Sequence, residues 1–360
     1  MLSVDYRISP DDRAMFKRCR RQWHFASPRR RGLEPATSLQ STSLPTAFKE
    51  ALAVYYYPGT WDWQHQLKQS LVHKALQRSL QNTDAADELA KATTLIDRYD
   101  EWAVTVDDFA PVKIDHDISA LVRDPADPEQ GLLTPDGAAV TYTCRVDLLA
   151  VDAADEYWVV CHRIVDDWSP VQELLFDEEM TAACWAWEQD YIGMEIAGTI
   201  HNEVRLGAAP DASAGESSAA VGVTPVAQHE ASGGGRSIPQ HVRLSARETR
   251  PGADHRVQRR TAGLVCRTRI RRGRDEIVAA GGLLALEAVE MAGAPATYPS
   301  PGRHCLSCEF APPCLAMFEG TDPRPVLAAG FRRRPDDSEQ KPRLGQATWG
   351  FGRGAAPPSW

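Results

Sequence analysis

Residues 139–165 read AVTYTCRVDLLAVDAADEYWVVCHRIV. Two runs rich in β-branched and aromatic residues flank the polar link AADE at 153–156. That is the pattern of two adjacent antiparallel strands joined by a tight connection. Outward from this pair the periodicity changes. Residues 177–190, DEEMTAACWAWEQD, return to helix, and 193–206, GMEIAGTIHNEVRL, make a further strand. Upstream, SPDDRAMFKRCRRQWHFA at 9–26 opens with Ser9 as an N-cap and Pro10 at the first helical position. Met15, Phe16, Cys19, Trp23 and Phe25 then recur at the spacing of a short amphipathic helix. Further helices are predicted over 46–57, 63–80, 85–106 and 274–292. Strands interleaved with helices place the chain in the α/β class.

The 360 residues suffice for one large domain with decorations, and a composition of 43% hydrophobic and 25% charged residues is that of an ordinary globular chain. No run approaches the roughly 18 apolar residues of a membrane helix. The opening MLSVDYRISPDDRAMFKRCRRQW lacks the apolar core of a secretory signal, so a cytoplasmic setting is expected. In that reducing setting, eight clustered cysteines suggest metal binding or catalysis more than disulfides. The net charge of −9 excludes a protein that is basic all over. Its signs are segregated, however. Arg18, Arg20, Arg21, Arg29, Arg30 and Arg31 form one basic block, and a second runs from Arg243 to Arg274. Such blocks permit local phosphate contacts on an acidic protein. Residues 1–320 read as one unit, interrupted at 207–258 by a long flexible insertion. Residues 321–360 read as a Gly/Pro-rich tail draped over the surface.

HCLSCEFAPPC, 304–314, holds Cys305, Cys308 and Cys314. Clustered thiolates suit tetrahedral zinc or an iron–sulfur cluster. One x2 pair and one x5 step, with no second knuckle, leave a fourth ligand to come from far away, which fits a cubane better. Cys144, Cys161, Cys184 and Cys266 fall in predicted strands, on a tryptophan-rich helix and before an arginine run, where small buried hydrophobes are usual. Cys19 stands apart, among polar and basic residues in KRCRRQW.

A cysteine in an N-terminal helix with a distant Cys-x2-Cys-x5-Cys resembles the iron–sulfur branch of the RecB-like PD-(D/E)XK nucleases. That branch includes helicase–nuclease and CRISPR-associated exonuclease domains. SPDDRAMFKRCRRQWHF is similar to the family's opening, and YPSPGRHCLSCEFAPPC to its closing segment. The resemblance implies a restriction-endonuclease-like mixed sheet flanked by helices. It also implies a 4Fe–4S cluster held by Cys19, Cys305, Cys308 and Cys314, which staples the two ends of the chain.

The middle of the chain is then expected to carry Mg²⁺- or Mn²⁺-dependent phosphodiester chemistry. The family places an Asp on one strand and D/E-x-K on the next. Here Asp147 occupies the first position as a metal ligand, and the second motif reads Cys161-His162-Arg163. Lys49 stands where the family has a His, followed by Glu50, and Glu179 lies near the place of a Gln. The implied site residues are therefore Asp147, Arg163, Glu50 and Glu179. Cysteine is a poor ligand for a hard cation, and arginine cannot act as a base. Asp166, Asp167, Asp177 and Glu178 read as a solvated acidic face.

Three functions follow as expectations. The first is a RecB-like DNA exonuclease or repair nuclease with weak or absent cleavage, acting on ends or single strands beside a helicase or repair partner. The second is a non-catalytic DNA-binding or scaffold protein on the same fold. The third is a zinc-stabilised interaction module. Tyr55, Tyr56, Tyr57, Trp61 and Trp63 read as core more readily than as a stacking platform for DNA. Trp185 and Trp187, two apart on a helix, are not expected to share one core.

Overall fold

The computed structural model describes residues 5–37, 43–80, 86–206, 256–293 and 296–334. The chain opens with strand β1 (Tyr6–Ile8) and helix α1 (Pro10–Arg18), followed at once by α2 (Arg20–Ala26). Ser9 caps α1 as expected. Its Oγ accepts the Asp12 N–H at 3.1 Å, and the Asp12 carboxylate accepts the Ser9 N–H at 3.3 Å, a reciprocal capping box. The single helix expected over 9–26 is in fact two, because Cys19 between them is extended at φ −161° and ψ 109°.

Strand β2 (Leu33–Pro35) leads to three helices, α3 (Leu44–Tyr55), α4 (His65–Ser79) and α5 (Ala86–Val106). The sheet follows with β3 (Phe109–Leu121), the side ribbon β4 (Arg123–Asp124) and β5 (Asp127–Gly131), and the hairpin β6 (Val140–Asp152) and β7 (Tyr157–Val165). Next come α6 (Val171–Leu175), α7 (Glu178–Asp190), β8 (Ile196–Arg205), β9 (Val257–Ala262), β10 (Val265–Arg271) and α8 (Arg274–Ala292). The chain closes with α9 (Ala311–Phe318), α10 (Arg324–Gly330) and β11 (Phe331–Arg333).

The main sheet runs β1-β6-β7-β8-β10-β9, with β3 also paired to β6. It is mixed: β1–β6 and β7–β8 are parallel, the other pairs antiparallel. Helices cover both faces. Phe48, Leu52, Leu76, Ile96 and Tyr99 from α3, α4 and α5 pack with Leu148, Trp158 and Val160. On the other face α7 lies against Tyr142, Val146 and Val159, and α8 packs outside α7. Because α7 is sandwiched, every residue from Met180 to Trp187 is buried, so Trp185 and Trp187 do share one core. Tyr55, Tyr56 and Trp61 pack into the opposite core, as expected, and Trp63 is exposed.

The β6–β7 hairpin turns at the expected link. Asp152 Oδ1 accepts the N–H groups of Ala154 and Glu156 at 2.9 and 3.1 Å. Pairing then runs only from Val151–Tyr157 to Leu148–Val160. Beyond it the strands part: β6 continues between β1 and β3, and β7 continues beside β8. At the parting, β6 also changes face. Val140, Tyr142, Cys144 and Val146 feed the α7 core, whereas Leu148 and Ala150 feed the α3 core.

Past 321, where a tail was expected, the chain forms α10 and β11. Strand β11 pairs antiparallel with β2, and Phe310 stacks between Phe25 and Phe331 at 5.4 and 4.9 Å. This small core ties the late segment to α2. Residues 207–255 of the expected insertion, and the tail beyond 334, lie outside the described residues; residues 256–258 lead into and begin β9. Among the described residues no helix is long and apolar enough to cross a membrane.

Candidate functional site

Asp147 sits where β6 and β7 part. The Lys49 ammonium from α3 approaches its two oxygens at 3.0 and 3.1 Å, and the His162 backbone N–H donates to Oδ2 at 2.8 Å. Strand alternation turns Cys161 and Arg163 to one side and His162 to the other. The His162 ring is buried against Tyr56, centroids 5.5 Å apart, and burial pushes its pKa down to about 3. Cys161 Sγ lies 3.4 Å from His201 Nδ1, and burial pushes the thiol up to about 12. It therefore stays protonated and offers a hard cation nothing.

Arg163 pairs with Asp177 at 2.8 Å, and the other oxygen of Asp177 caps α7 by accepting the Met180 N–H at 3.0 Å. Asp177 thus belongs to the site, against its reading as a solvated carboxylate. Glu178 does point outward, to Lys17, and Asp167 pairs with Arg205. Glu179 is exposed near the fork; partial desolvation pushes its pKa up, and Arg163, and less strongly Lys49, draw it back down. Among the described residues Glu50, Asp147 and Glu179 are not gathered around one metal position. Consecutive helical residues point about 100° apart, so with Lys49 on Asp147 its neighbour is turned away, and it has no hydrogen-bond or ion-pair partner among the described residues.

The sequence reading missed Asp115. It stands on β3 between the Ile114–Leu148 and His116–Val146 pairs, across from Asp147, with φ +41°. A left-handed aspartate inside a strand is a strained position, costing on the order of 1 kcal/mol. Arg145 Nη1 lies 3.5 Å from its carboxylate, while the same guanidinium grips Asp117 at 2.7 and 2.8 Å. The polar run KIDHDIS hides this strand in the sequence.

The cation expected at Asp147 has a side-chain counterpart in Lys49. That pair is half exposed, 46% for the lysine side chain, so it contributes on the order of 1 kcal/mol at most and could be displaced. What the fork lacks is a second hard anion at the Cys161 position. Among the described residues no three His, Cys, Asp or Glu side chains are arranged to hold one metal ion.

The cysteines form a second centre. Cys19 at the break between α1 and α2, Cys305 and Cys308 around a short 3-10 turn, and Cys314 on α9 line one cavity of about 400 Å³. Phe25, Pro299, Phe310 and Leu315 make much of its wall apolar. Burial pushes the Cys308 thiol up, and Cys19, Cys305 and Cys314 push it further, so the four sulfurs lie within electrostatic reach of one another. Cys144, Cys161 and Cys184 lie in the core against α7, and Cys266 is buried on β10.

Most described arginines of the second block are neutralised. Arg256, Arg259, Arg267, Arg269, Arg271 and Arg274 each face a carboxylate, and Arg267 is itself buried against Asp107 at 2.7 Å. In the first block Arg20 pairs with Glu290, and Arg30 donates to the Met291 and Gly293 carbonyls, each at 2.7 Å.

No protein-family model matches the chain, and no curated protein does. Among solved structures, one described as the crystal structure of SSO0001 aligns with 72% of this chain and 82% of its own, at 9% identity and a TM-score of 0.29. A likeness at that level transfers neither fold nor activity.

Proposed function

We propose that this chain is a RecB-like nuclease fold, restriction-endonuclease-like in its sheet, that holds DNA ends and cuts them weakly or not at all. The observation that carries this reading is the fork. Asp147 stands where the strands part, but its partner positions hold a protonated thiol, an arginine and a lysine instead of carboxylate, lysine and histidine. Lys49 and Arg163, each oriented by a carboxylate, are then a phosphate clamp. A divalent ion at Asp147 would supply Lewis-acid activation of a phosphodiester. The residues present fit that ion poorly, since a thiol stands where a second carboxylate is needed.

The thiol set fits a cluster. The four thiols line one cavity, yet no three of them are arranged to hold a single ion, so a polynuclear group suits them better than one zinc, which needs its sulfurs about 2.3 Å from one point. In this reading Cys19, Cys305, Cys308 and Cys314 hold a 4Fe–4S centre, whose chemistry is a covalent cross-link between the two ends of the domain.

The test uses the full chain purified without oxygen, with labelled duplexes bearing single-stranded ends. Binding is expected to weaken steeply with salt and with Lys49→Ala or Arg163→Ala, and cleavage with Mg²⁺ or Mn²⁺ to stay at the level of Asp147→Ala. Absence of binding removes the proposal. A second reading, an active nuclease, is favoured by the strained Asp115 carboxylate across from Asp147. It gains if cleavage is present and is lost in both Asp115→Ala and Asp147→Ala. Zinc without iron or sulfide in the purified protein would instead support an interaction module.

A further inference from the structure

The cavity between the four cysteines has one permanently charged side chain in its wall. Arg21, two residues after Cys19 on α2, places Nη1 3.6 Å from Cys314 Sγ. The thiol there stands for the thiolate that a bound cluster would leave. The backbone at Arg21 is held, and its guanidinium has a donor to spare. The Arg21 backbone N–H donates to the Tyr298 carbonyl at 3.2 Å, and its Nε is buried without a hydrogen-bond partner among the described residues, a second donor open to the same group. Much of the remaining wall is apolar, with Phe25 and Phe310 buried and Leu306, Leu315 and Phe318 open to solvent.

We infer that Arg21 is a positioning residue of the cluster: it hydrogen-bonds the Cys314 thiolate and sets how readily the cluster takes up an electron and how firmly it keeps its iron. The inference rests on the cluster reading above. Four thiolates leave such a centre anionic, and one-electron reduction adds a further negative charge. A fixed cation in an apolar wall stabilises the reduced form more than the oxidised one, and a hydrogen bond to a ligating sulfur acts in the same direction. Arg21 also joins the cysteine from the late segment to the helix that follows Cys19, so it closes the cage from outside.

The experiment compares wild type, Arg21→Lys and Arg21→Gln, each as the full chain purified anaerobically. Iron and acid-labile sulfide are assayed first. The one-electron midpoint is then read by electron paramagnetic resonance during titration with dithionite, the electron donor, and iron release is timed against a ferrous chelator. Expected are a midpoint shifted to lower potential and faster iron release in Arg21→Gln, with Arg21→Lys between it and wild type. Iron lost from Arg21→Gln during purification but kept in Arg21→Lys supports the same role. A fully loaded Arg21→Gln with wild-type midpoint and release rate overturns the inference while leaving the cluster intact. Wild type devoid of iron and sulfide overturns the cluster reading itself.

Discussion

A glutamate at position 161 would put a hard oxygen ligand beside Asp147, whereas the cysteine there presents a protonated thiol to His201. If this residue, with Lys49 and Arg163, is what disables the fork, then Lys49→His, Cys161→Glu and Arg163→Lys together should restore cation binding. Calorimetry with Mn²⁺ is expected to show one new site, and DNA cleavage should rise about tenfold or more over wild type. No heat of binding from a folded triple variant would mean that the fold itself lacks the site. The buried histidines give a second prediction at this scale. His162 and His201 have pKa values pushed down by burial to about 3 and about 4. Between about pH 6.5 and those values the unfolded chain binds the extra protons, so stability falls as pH falls. At pH 5.5 each histidine costs on the order of 1 kcal/mol relative to neutral pH. Urea midpoints at pH 7.5 and 5.5 check this, and the drop should be smaller in His162→Asn. The carboxyl of Glu179, pushed up by partial desolvation, acts oppositely: its contribution is lost as pH rises from about 4.5 through its folded value. It therefore blunts the fall only at the acid end. Asp147 and the Cys161/Arg163 facing were legible because strand alternation is a local rule. Asp115 was not, since its role comes from a backbone kink that no residue pattern announces.

Elements with strong periodicity were legible nearly to their ends: helices expected over 46–57 and 274–292 are found at Leu44–Tyr55 and Arg274–Ala292. The break at Cys19 was hidden, because the apolar spacing runs through it unchanged. Strand β3 was hidden by its charges, which β6 and α7 accommodate. The packing of α7 on α8 could not be read either, and it turns on one glycine. A Cβ on Gly281 would stand 2.2 Å from Trp185 Nε1, while one on Gly282 meets nothing within 4 Å. Alanine gains about 1 kcal/mol over glycine in a helix interior, which Gly282→Ala should show as added stability. At Gly281 the gain is outweighed, because Trp185 is pinned in the core and α8 must move outward. Overpacking of this kind costs about 1–3 kcal/mol, so Gly281→Ala should unfold at lower urea than wild type. Equal midpoints for the two variants would show that Trp185 can shift freely.

At the scale of the molecule, the two ends of the domain meet twice. Strand β11 pairs with β2 over the Phe25, Phe310 and Phe331 stack, and Cys19 shares a cavity with the late thiols. The second meeting was expected from the family resemblance, which paired Cys19 with the late thiols where spacing alone left the fourth ligand open; the first was not, since a three-residue strand carries no periodic signal. A cross-link between Cys19 and Cys305 closes a loop of nearly three hundred residues, worth about 6 kcal/mol in chain entropy if nothing else closed it. Because β11 and the aromatic stack already hold the ends together, part of that closure is present without metal. On the cluster reading, metal removal by chelation should therefore lower the urea midpoint without unfolding the chain, leaving its far-ultraviolet circular dichroism unchanged in water. Cys19→Ser should lower the midpoint by the same amount, and chelation should add nothing further to it. Cys184→Ala, which touches only the core, should keep its full metal content. Undiminished metal in Cys19→Ser would show that the late trio completes its cage without the N-terminal segment, and the two ends would then be joined by packing alone.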